Sequence, residues 1–416
     1  MRHSLKLVAL LATAGLTLAA IPALAVDLRV TYSPANFSKM YEAVAAAFME
    51  EHPDITITYE NATSYDELLQ RTLRAVLIND APDVSHQGLN YLRVFKDQDI
   101  VVPLDAFIAA EPNWADLGYT DAVTSIGAVG DATYAVPFSI STPVLVFNLD
   151  LVRQAGGDPD NLPTTWEGVF NLASKINALG NGVIGINIDY SSNAALGFQT
   201  LLFGEGGRMM TPDESDIAFD GPQGLRALQL LAQAADAGQV DMSRDNARQT
   251  LIAGKIGIYE TASSILGTLQ TQVADRFEYV MAPVPLVDGG TAPASGNGMV
   301  MLTKDPERQA AAWEYIKFAS SARGQAIMAA MTGYLPVNAK ALEDPALAQL
   351  YRDQPNYAVP LSQLGDLTGW YAFPGKNGSK IAAMIVEKMQ QVLTRKSTPE
   401  DALAEAATEA RALLAQ

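Results

Sequence analysis

The sequence predicts an α/β fold in which a mainly parallel sheet is covered by helices. Residues 27–32 and 55–59 each alternate between apolar and polar side chains, as half-buried strands do. Each segment is followed by apolar residues at helical spacing, over 37–48 and 68–76. A third short strand is predicted from Pro82. This strand–helix order favours a parallel sheet, whose ligands bind beyond the carboxyl ends of the strands.

A second tract of the chain begins the same order again. Residues 144–148 are β-branched and aromatic, and 181–186 is a further predicted strand with turn residues before it. Between them, Thr164 is expected to cap a helix that Glu167 closes. Residues 305–416 are predicted to be mostly helical.

Residues 1–25 have the pattern of a secretory signal peptide. Two basic residues precede an apolar run over 7–20, and small residues stand at positions 23 and 25, where a signal peptidase reads them. No later apolar run approaches the roughly 20 residues that a membrane-spanning helix needs. We therefore expect cleavage before Val26 and release into the periplasm.

Composition narrows the class of protein further. The chain has 416 residues and no cysteine, which excludes disulfides, thiolate metal sites and a lipid anchor on cysteine. About 390 residues follow the signal peptide. Because a chain of this length exceeds what a single hydrophobic core usually holds, two domains are expected. The net charge of −18 repels nucleic acid and anionic lipid. We expect a soluble, unanchored periplasmic monomer that does not bind nucleic acid.

Motifs of catalysis and cofactor binding are scarce. The histidines beyond the signal peptide are His52 and His86, and neither has the H-x-x-x-H or H-E-x-x-H spacing of a metal site. The G-x-S-x-G elbow of serine hydrolases and the G-x-x-x-x-G-K-[ST] loop that cradles phosphate are absent. We expect no cofactor, no metal and no enzymatic activity. A pair of catalytic carboxylates of the glycosidase type is not excluded, because such a pair is defined by the distance between its carboxyl groups in space and not by their spacing in the sequence.

Three motifs follow one another along the chain. They are F-S-I-S-T-P-V-L-V-F-N at 138–148, P-T-T-W-E at 163–167 and G-Y-L-P-V at 333–337. Together they resemble the family 1 extracellular solute-binding proteins of ABC importers, and the resemblance spans the chain after the signal peptide. Within that family, the likeness is greatest to glycerol-3-phosphate-binding proteins, through S-T-P-V-L at 141–145, T-A-S-S at 261–264 and T-G-Y-L-P at 332–336.

The resemblance implies a two-lobed α/β fold of the periplasmic-binding-protein type, similar to maltose-binding protein, with crossing hinge strands between the lobes. It implies an N-terminal lobe from residues 26–138 plus 262–320 and a C-terminal lobe from 139–261 plus 321–416. The first crossing is expected near Ser139 to Thr142 and the second near Glu260 to Ser264. In such proteins the lobes close over a ligand, and the importer's membrane subunits recognise the closed form.

The same resemblance implies five ligand positions. Residue by residue they are Tyr65, Ser141, Ser264, Gly296 and Tyr334. Serine hydroxyls donate and accept hydrogen bonds, a tyrosine adds an apolar face, and the backbone beside a glycine approaches a ligand closely. The set suits a hydroxylated solute. A tyrosine before Leu-Pro is also a common packed turn anchor, so Tyr334 has a structural alternative.

Two departures from the glycerol-3-phosphate relatives bear on the ligand. Where those relatives hold phosphate with an arginine, this chain has Trp370 and Tyr371, which favour stacking against a sugar ring. Lys376 and Lys380 are alternative phosphate ligands, although lysine matches that geometry less well. The relatives' tryptophans after the mid-chain strand are replaced by a segment that contains Tyr190, which becomes a further candidate.

We therefore expect the substrate-binding component of an ABC importer, which captures a neutral sugar, oligosaccharide or polyol and delivers it to the permease subunits. The first alternative is a receptor for glycerol-3-phosphate or a glycerophosphodiester, because Trp370 and Tyr371 also suit a quaternary ammonium group. The second alternative, from a different class, is a secreted carbohydrate-active enzyme with a two-lobed cleft.

Overall fold

The computed structural model describes residues 26–112, 114–191, 193–273 and 276–416. The predicted signal peptide, residues 1–25, lies outside the described residues. None of the helices described in these ranges is long and apolar enough to cross a lipid bilayer.

The elements of the described chain alternate between strands and helices. The strands are β1 (Val26–Tyr32), β2 (Ile55–Asn61), β3 (Val84–Gly88), β4 (Ala128–Val129), β5 (Ala132–Thr133), β6 (Val136–Ser141), β7 (Pro143–Asn148), β8 (Ile184–Ile188), β9 (Ile256–Ala262), β10 (Tyr279–Pro283), β11 (Ala292–Met301) and β12 (Leu367–Gly369). The helices are α1 (Ser38–Glu51), α2 (Tyr65–Leu77), α3 (Leu92–Asp97), α4 (Asp105–Ala110), α5 (Asp121–Ile126), α6 (Leu149–Gln154), α7 (Trp166–Asn177), α8 (Leu196–Gly204), α9 (Pro222–Asp236), α10 (Arg244–Ile252), α11 (Leu266–Gln272), α12 (Pro306–Ser320), α13 (Ala322–Ala330), α14 (Pro345–Asp353), α15 (Ala358–Ser362), α16 (Gly378–Leu393) and α17 (Pro399–Leu414).

The first lobe is built on a sheet of strand order β12-β11-β3-β1-β2, in which β6 also pairs with β11. β1 runs parallel to β2 and β3, which confirms the predicted order of the first three strands. β11 runs antiparallel to β3 and β6. Apolar residues on one face pack against α1, α12 and α13, and α2 and α3 cover the other face.

The second lobe is built on a sheet of strand order β10-β7-β9-β8. β8 and β9 are parallel, whereas β7 is antiparallel to both β9 and β10. Helices α7, α8, α9, α16 and α17 form a large core on one face, and α10 and α11 pack on the other. The two sheets with separate cores match the α/β, two-domain prediction.

The chain passes between the lobes at positions that agree only partly with the expected ones. β6 ends at Ser141 in the first sheet and β7 begins at Pro143 in the second, so the first crossing lies at Thr142, within the expected segment. The next crossing lies between Pro283 and Ala292, because β10 pairs with β7 of the second sheet and β11 belongs to the first. The structure therefore keeps residues up to 283 in the second lobe, whereas the sequence assigned 262–320 to the first.

The later boundary differs as well. Ser321 separates α12 from α13, but both helices pack in the first-lobe core. Its side-chain oxygen accepts the backbone N–H of Gly324 and caps α13, so the lobe boundary implied there by the resemblance is a turn within one lobe. The chain enters the second-lobe core later, at Tyr357. It touches the first sheet once more through β12 before α16 and α17 complete the second lobe.

One predicted helix start is off by a residue. Thr165, rather than Thr164, caps α7, since its Oγ1 accepts the backbone N–H of Gly168 at 3.3 Å. Glu167 lies in the first turn of that helix, where its negative charge interacts favourably with the positive end of the helix dipole.

Candidate functional site

The polar residues of interest lie where parallel strands of the two sheets end. In the first lobe Tyr65 starts α2, which follows the carboxyl end of β2. In the second lobe Asp189 directly follows β8, and Ser264 is the second residue after β9. The loops beyond the carboxyl ends of parallel strands are the usual place for ligand sites in α/β folds.

Three of the five residues implied by the resemblance meet directly. The hydroxyl of Tyr65 lies beside that of Tyr334, and the hydroxyl of Ser264 also lies beside it, near enough for each to influence the pKa of Tyr334. Tyr334 belongs to the first-lobe core, whereas Ser264 follows β9 of the second sheet. Burial raises the pKa of both tyrosines, so their hydroxyls stay protonated. These neutral hydroxyls therefore link the two lobes.

Asn297 of β11 organises the first-lobe side of this group. Its Nδ2 donates to the hydroxyls of Tyr65 at 3.1 Å, Ser139 at 2.8 Å and Tyr41 at 3.3 Å. Its Oδ1 lies 3.3 Å from Nδ1 of His86, which is the donor when that nitrogen carries the proton. The residue is 1% exposed, so its bonds are shielded from water.

The network continues into the core of the first lobe. Nε2 of His86 lies 2.8 Å from the hydroxyl of Tyr315, which lies 2.9 Å from the hydroxyl of Tyr59. Burial lowers the pKa of His86 to about 3, so the imidazole is neutral at physiological pH. A chain of uncharged groups thus holds Tyr65 in one position.

The other two residues implied by the resemblance, Ser141 and Gly296, have evident structural roles beside this group. The hydroxyl of Ser141 lies 2.8 Å from that of Ser295 across the β6–β11 pair. Gly296 has φ +131°, and a Cβ there would lie 2.0 Å from the carbonyl oxygen of Ser139. Only glycine allows β11 to approach β6 so closely in that conformation.

The second lobe adds a charged cluster. Nε of Arg244 is 2.8 Å from Oδ2 of Asp189, whose side chain is 5% exposed. The backbone N–H of Asp189 donates to Oε2 of Glu260 at 3.1 Å. Burial, together with the nearby Asp189, raises the pKa of Glu260 to about 8. Burial also raises the pKa of Asp189, and Arg244 opposes that shift.

Sequence reasoning missed this cluster and Asn297. Arg244 and Arg248 are four residues apart on α10 and therefore share one face, directed toward Asp189. Their charges also lower the pKa of Tyr334 against the effect of its burial. Arg244, Asp189 and Glu260 are far apart in the chain and form no motif. The i, i+4 arginine pair was a possible signal, but it is equally typical of a solvated helix face.

Tyr190 does not join the group around Tyr334. Its hydroxyl donates to Asp241, and its ring packs in the second-lobe core. Lys380 is bonded to Asn377 at 3.0 Å, and Lys376 lines the mouth between the lobes.

Trp370 and Tyr371 lie at two neighbouring cavities. Trp370 is 8% exposed and lines a cavity of about 830 Å³. Tyr371 lines that cavity and a second one of about 710 Å³, which lies between α2 and α3 of the first lobe and the start of α16 of the second. Both residues therefore face space large enough for a small molecule.

An ion pair crosses between the lobes beside Tyr371. The guanidinium of Arg93 donates to both carboxylate oxygens of Glu214, at 2.9 and 2.7 Å. The Tyr371 hydroxyl donates to the same carboxylate at 2.8 Å. Arg93 is on α3 of the first lobe, and Glu214 follows Met210 of the second-lobe core. We call Arg93, Glu214 and Tyr371 the interlobe clasp.

Two α/β lobes with polar residues meeting between them define a two-lobed binding protein. The family model described as bacterial extracellular solute-binding protein matches residues 43–357. The chain belongs to this family, which confirms the family suggested by its motifs.

Curated relatives match almost the whole chain at low identity. A protein of Brucella abortus (strain 2308) named as a binding protein is 24% identical over 412 residues, which is 96% of this chain and 97% of that protein. The sn-glycerol-3-phosphate-binding periplasmic protein of Pectobacterium atrosepticum is also 24% identical, over 91% of this chain and 89% of its own.

Solved structures share the fold. The cyclic alpha-maltosyl-1,6-maltose binding protein of Arthrobacter globiformis aligns with a TM-score of 0.79 at 20% identity, over 94% of this chain and 99% of that one. UgpB of Mycobacterium tuberculosis in complex with glycerophosphocholine aligns with a TM-score of 0.81 at 21% identity, over 92% and 98%. These alignments confirm the predicted two-lobed, maltose-binding-protein-like fold.

Proposed function

We propose that the protein is the solute-binding component of an ABC importer and that it binds a neutral sugar, oligosaccharide or polyol between its lobes. The observation that carries this proposal is the meeting of uncharged hydroxyls from both lobes at Tyr65, Ser264 and Tyr334. Hydroxyls both donate and accept hydrogen bonds, which matches the hydroxyls of a sugar or polyol. Permease subunits then receive the solute from the closed lobes, and no chemical step is assigned to the protein.

The charges nearby support a neutral ligand over an anion. Arg244 is paired with Asp189, and Arg93 is held by both carboxylate oxygens of Glu214. An anion would have to compete with these carboxylates for the guanidinium groups. A neutral hydroxylated solute leaves both ion pairs intact and can accept further hydrogen bonds from the arginines.

A second candidate ligand is glycerol-3-phosphate or a glycerophosphodiester. The positive charges of Arg244 and Arg248 both lower the pKa of Tyr334, and Lys376 lines the smaller cavity between the lobes. One relative is named for sn-glycerol-3-phosphate, and one structural neighbour holds glycerophosphocholine.

Isothermal titration calorimetry separates these ligands. We expect at least one neutral monosaccharide, oligosaccharide or polyol to bind more tightly than glycerol-3-phosphate and glycerophosphocholine. Tight binding of a phosphorylated compound with none by the neutral panel would overturn the proposal. Product analysis of the same mixtures tests the enzymatic alternative, since turnover of an oligosaccharide would identify a carbohydrate-active enzyme.

A further inference from the structure

The larger cavity has the walls of a site for an apolar group. It has a volume of about 830 Å³, within the range of small-molecule sites, and lies between α5 of the first lobe and the segment around β12. Its walls include Val123, Ile126, Leu342, Leu361, Leu364 and Trp370. Covering aliphatic and aromatic walls of this kind with an apolar group is favourable, because it removes apolar surface from water.

Several polar groups at the edge of this cavity have protein partners, whereas Nε1 of Trp370 is buried without one. Arg93 and Tyr371 are bonded to Glu214. Oγ1 of Thr120 accepts the backbone N–H of Val123 at 3.3 Å. A sugar ring enclosed here would leave most of its hydroxyls without partners, which costs free energy. The cavity therefore suits a largely apolar group, with the Trp370 N–H as a donor for a single acceptor.

The smaller cavity, of about 710 Å³, is directly adjacent and has more polar side chains in its walls, beside apolar ones such as Leu69 and Val386. Arg93, Tyr371 and Ala372 line both cavities, so the two meet at this point. The walls of the smaller cavity include the polar residues Asp66, Gln70, Asn90, Gln98, Lys376 and Ser379. A solute that lies across Tyr371 meets more hydrogen-bonding side chains in the smaller cavity than in the larger one.

We propose that the solute is amphipathic, with a hydroxylated head and an alkyl or aryl arm that occupies the 830 Å³ cavity beside Trp370. The assignment of the head rests on the proposed solute-receptor function. The assignment of the arm rests on the cavity alone, so the two can fail separately.

Calorimetry with methyl and hexyl β-D-glucopyranoside tests the arm. We expect the hexyl compound to bind at least about 10-fold more tightly, because each buried methylene is worth about fourfold in affinity. Ala339→Trp places an indole at an exposed position that lines the apolar cavity, and it should abolish this difference. Ala383→Trp makes the same change at an exposed position of the smaller cavity and should preserve it.

Equal affinity of the two glucosides, or loss of the difference in Ala383→Trp instead of Ala339→Trp, would overturn the inference. If neither glucoside binds, saturation-transfer NMR with hexan-1-ol is the deciding measurement. Hexanol binding that Ala339→Trp removes would support the apolar site and contradict the glucose-like head. Absence of hexanol binding as well would overturn the apolar site.

Discussion

The two lobes bring chemically different groups to the space between them. The first lobe presents a neutral, buried network in which Asn297 holds Tyr65, Ser139 and His86. The second lobe presents a charged cluster of Asp189, Glu260 and Arg244. The uncharged network of the first lobe thus fixes the positions of its side chains, whereas the net charge of the second-lobe cluster changes with protonation.

This difference follows from how each set of groups titrates. His86 is neutral in the folded protein above a pKa of about 3, so the Asn297 network keeps one charge state across physiological pH. Glu260 has a pKa of about 8, so its charge changes within that range. We expect substitutions in the first lobe to change stability at every pH and those in the second to change its pH dependence.

The largest expected effect is that of Asn297→Leu. The substitution leaves the hydroxyls of Tyr65 and Ser139 and Nδ1 of His86 with one partner fewer, and each buried polar group without a partner costs about 1–3 kcal/mol. We expect the free energy of unfolding, measured by chemical denaturation, to fall by about 3–5 kcal/mol. The control Asn246→Leu, at an exposed position of α10, should change it by less than about 0.5 kcal/mol. A loss below 1 kcal/mol in Asn297→Leu would show that the network is not a structural centre.

Glu260→Gln tests the charged side of the comparison. Burial, followed by Asp189, raises the folded pKa of Glu260 from 4.5 to about 8. Between these values the unfolded chain releases a proton that the folded protein retains, so the unfolding free energy falls as pH rises from about 5 to 8. The glutamine variant lacks this titration, and we expect it to gain about 3 kcal/mol relative to the parent over that window.

The same pH series on Glu278→Gln, an exposed carboxylate of the second lobe, supplies the control and should follow the parent. Parallel stability curves for the parent and Glu260→Gln would mean that Glu260 is already ionised in the folded protein. The distinction between a neutral first lobe and a titrating second lobe would then fail.

Substitutions at the aromatic residues test where the solute lies. Tyr334→Ala and Trp370→Ala should each weaken the affinity of a solute found by calorimetry at least about 10-fold, as expected for a buried aromatic anchor. Tyr190→Phe removes a hydroxyl that is bonded to Asp241, away from the Tyr334 group, and should change affinity less than about twofold. A large loss in Tyr190→Phe with intact folding would restore that residue as a ligand contact.

The sequence predicted local structure and family better than it predicted spatial arrangement. Alternation located β1 and β2, and β-branched, aromatic and turn residues located β7 and β8, because these are local properties of the chain. The crossing at 260–264 was wrongly placed, because the pairing of β10 with β7 joins residues more than 130 positions apart. Asn297 and the Asp189–Arg244 pair were missed for the same reason. Tyr65, Ser264 and Tyr334 were proposed as ligand positions from the family resemblance rather than from any local pattern.

The smallest expected effect concerns the interlobe clasp, where the two lobes meet through charge. Glu214→Gln keeps the shape of the side chain but removes the charge that holds Arg93, and an ion pair that is 23% and 33% exposed contributes modestly. We expect solute dissociation to be about fivefold faster, because the closed form loses this contact.

Because the chain has no cysteine of its own, introduced cysteines can be labelled selectively, and the opening of the two lobes can be measured without ligand. Gln98 and Lys376 are exposed residues on opposite sides of the mouth. Spin labels on Gln98→Cys and Lys376→Cys report the distance between the lobes by double electron–electron resonance. Glu214→Gln should shift this distribution to longer distances, and high salt should do the same to the parent by screening the pair. Glu278→Gln, which breaks an Arg–Glu pair within one lobe, should leave it unchanged. Identical distributions in Glu214→Gln and the parent would show that the neutral hydroxyls at Tyr334, rather than the clasp, hold the lobes together.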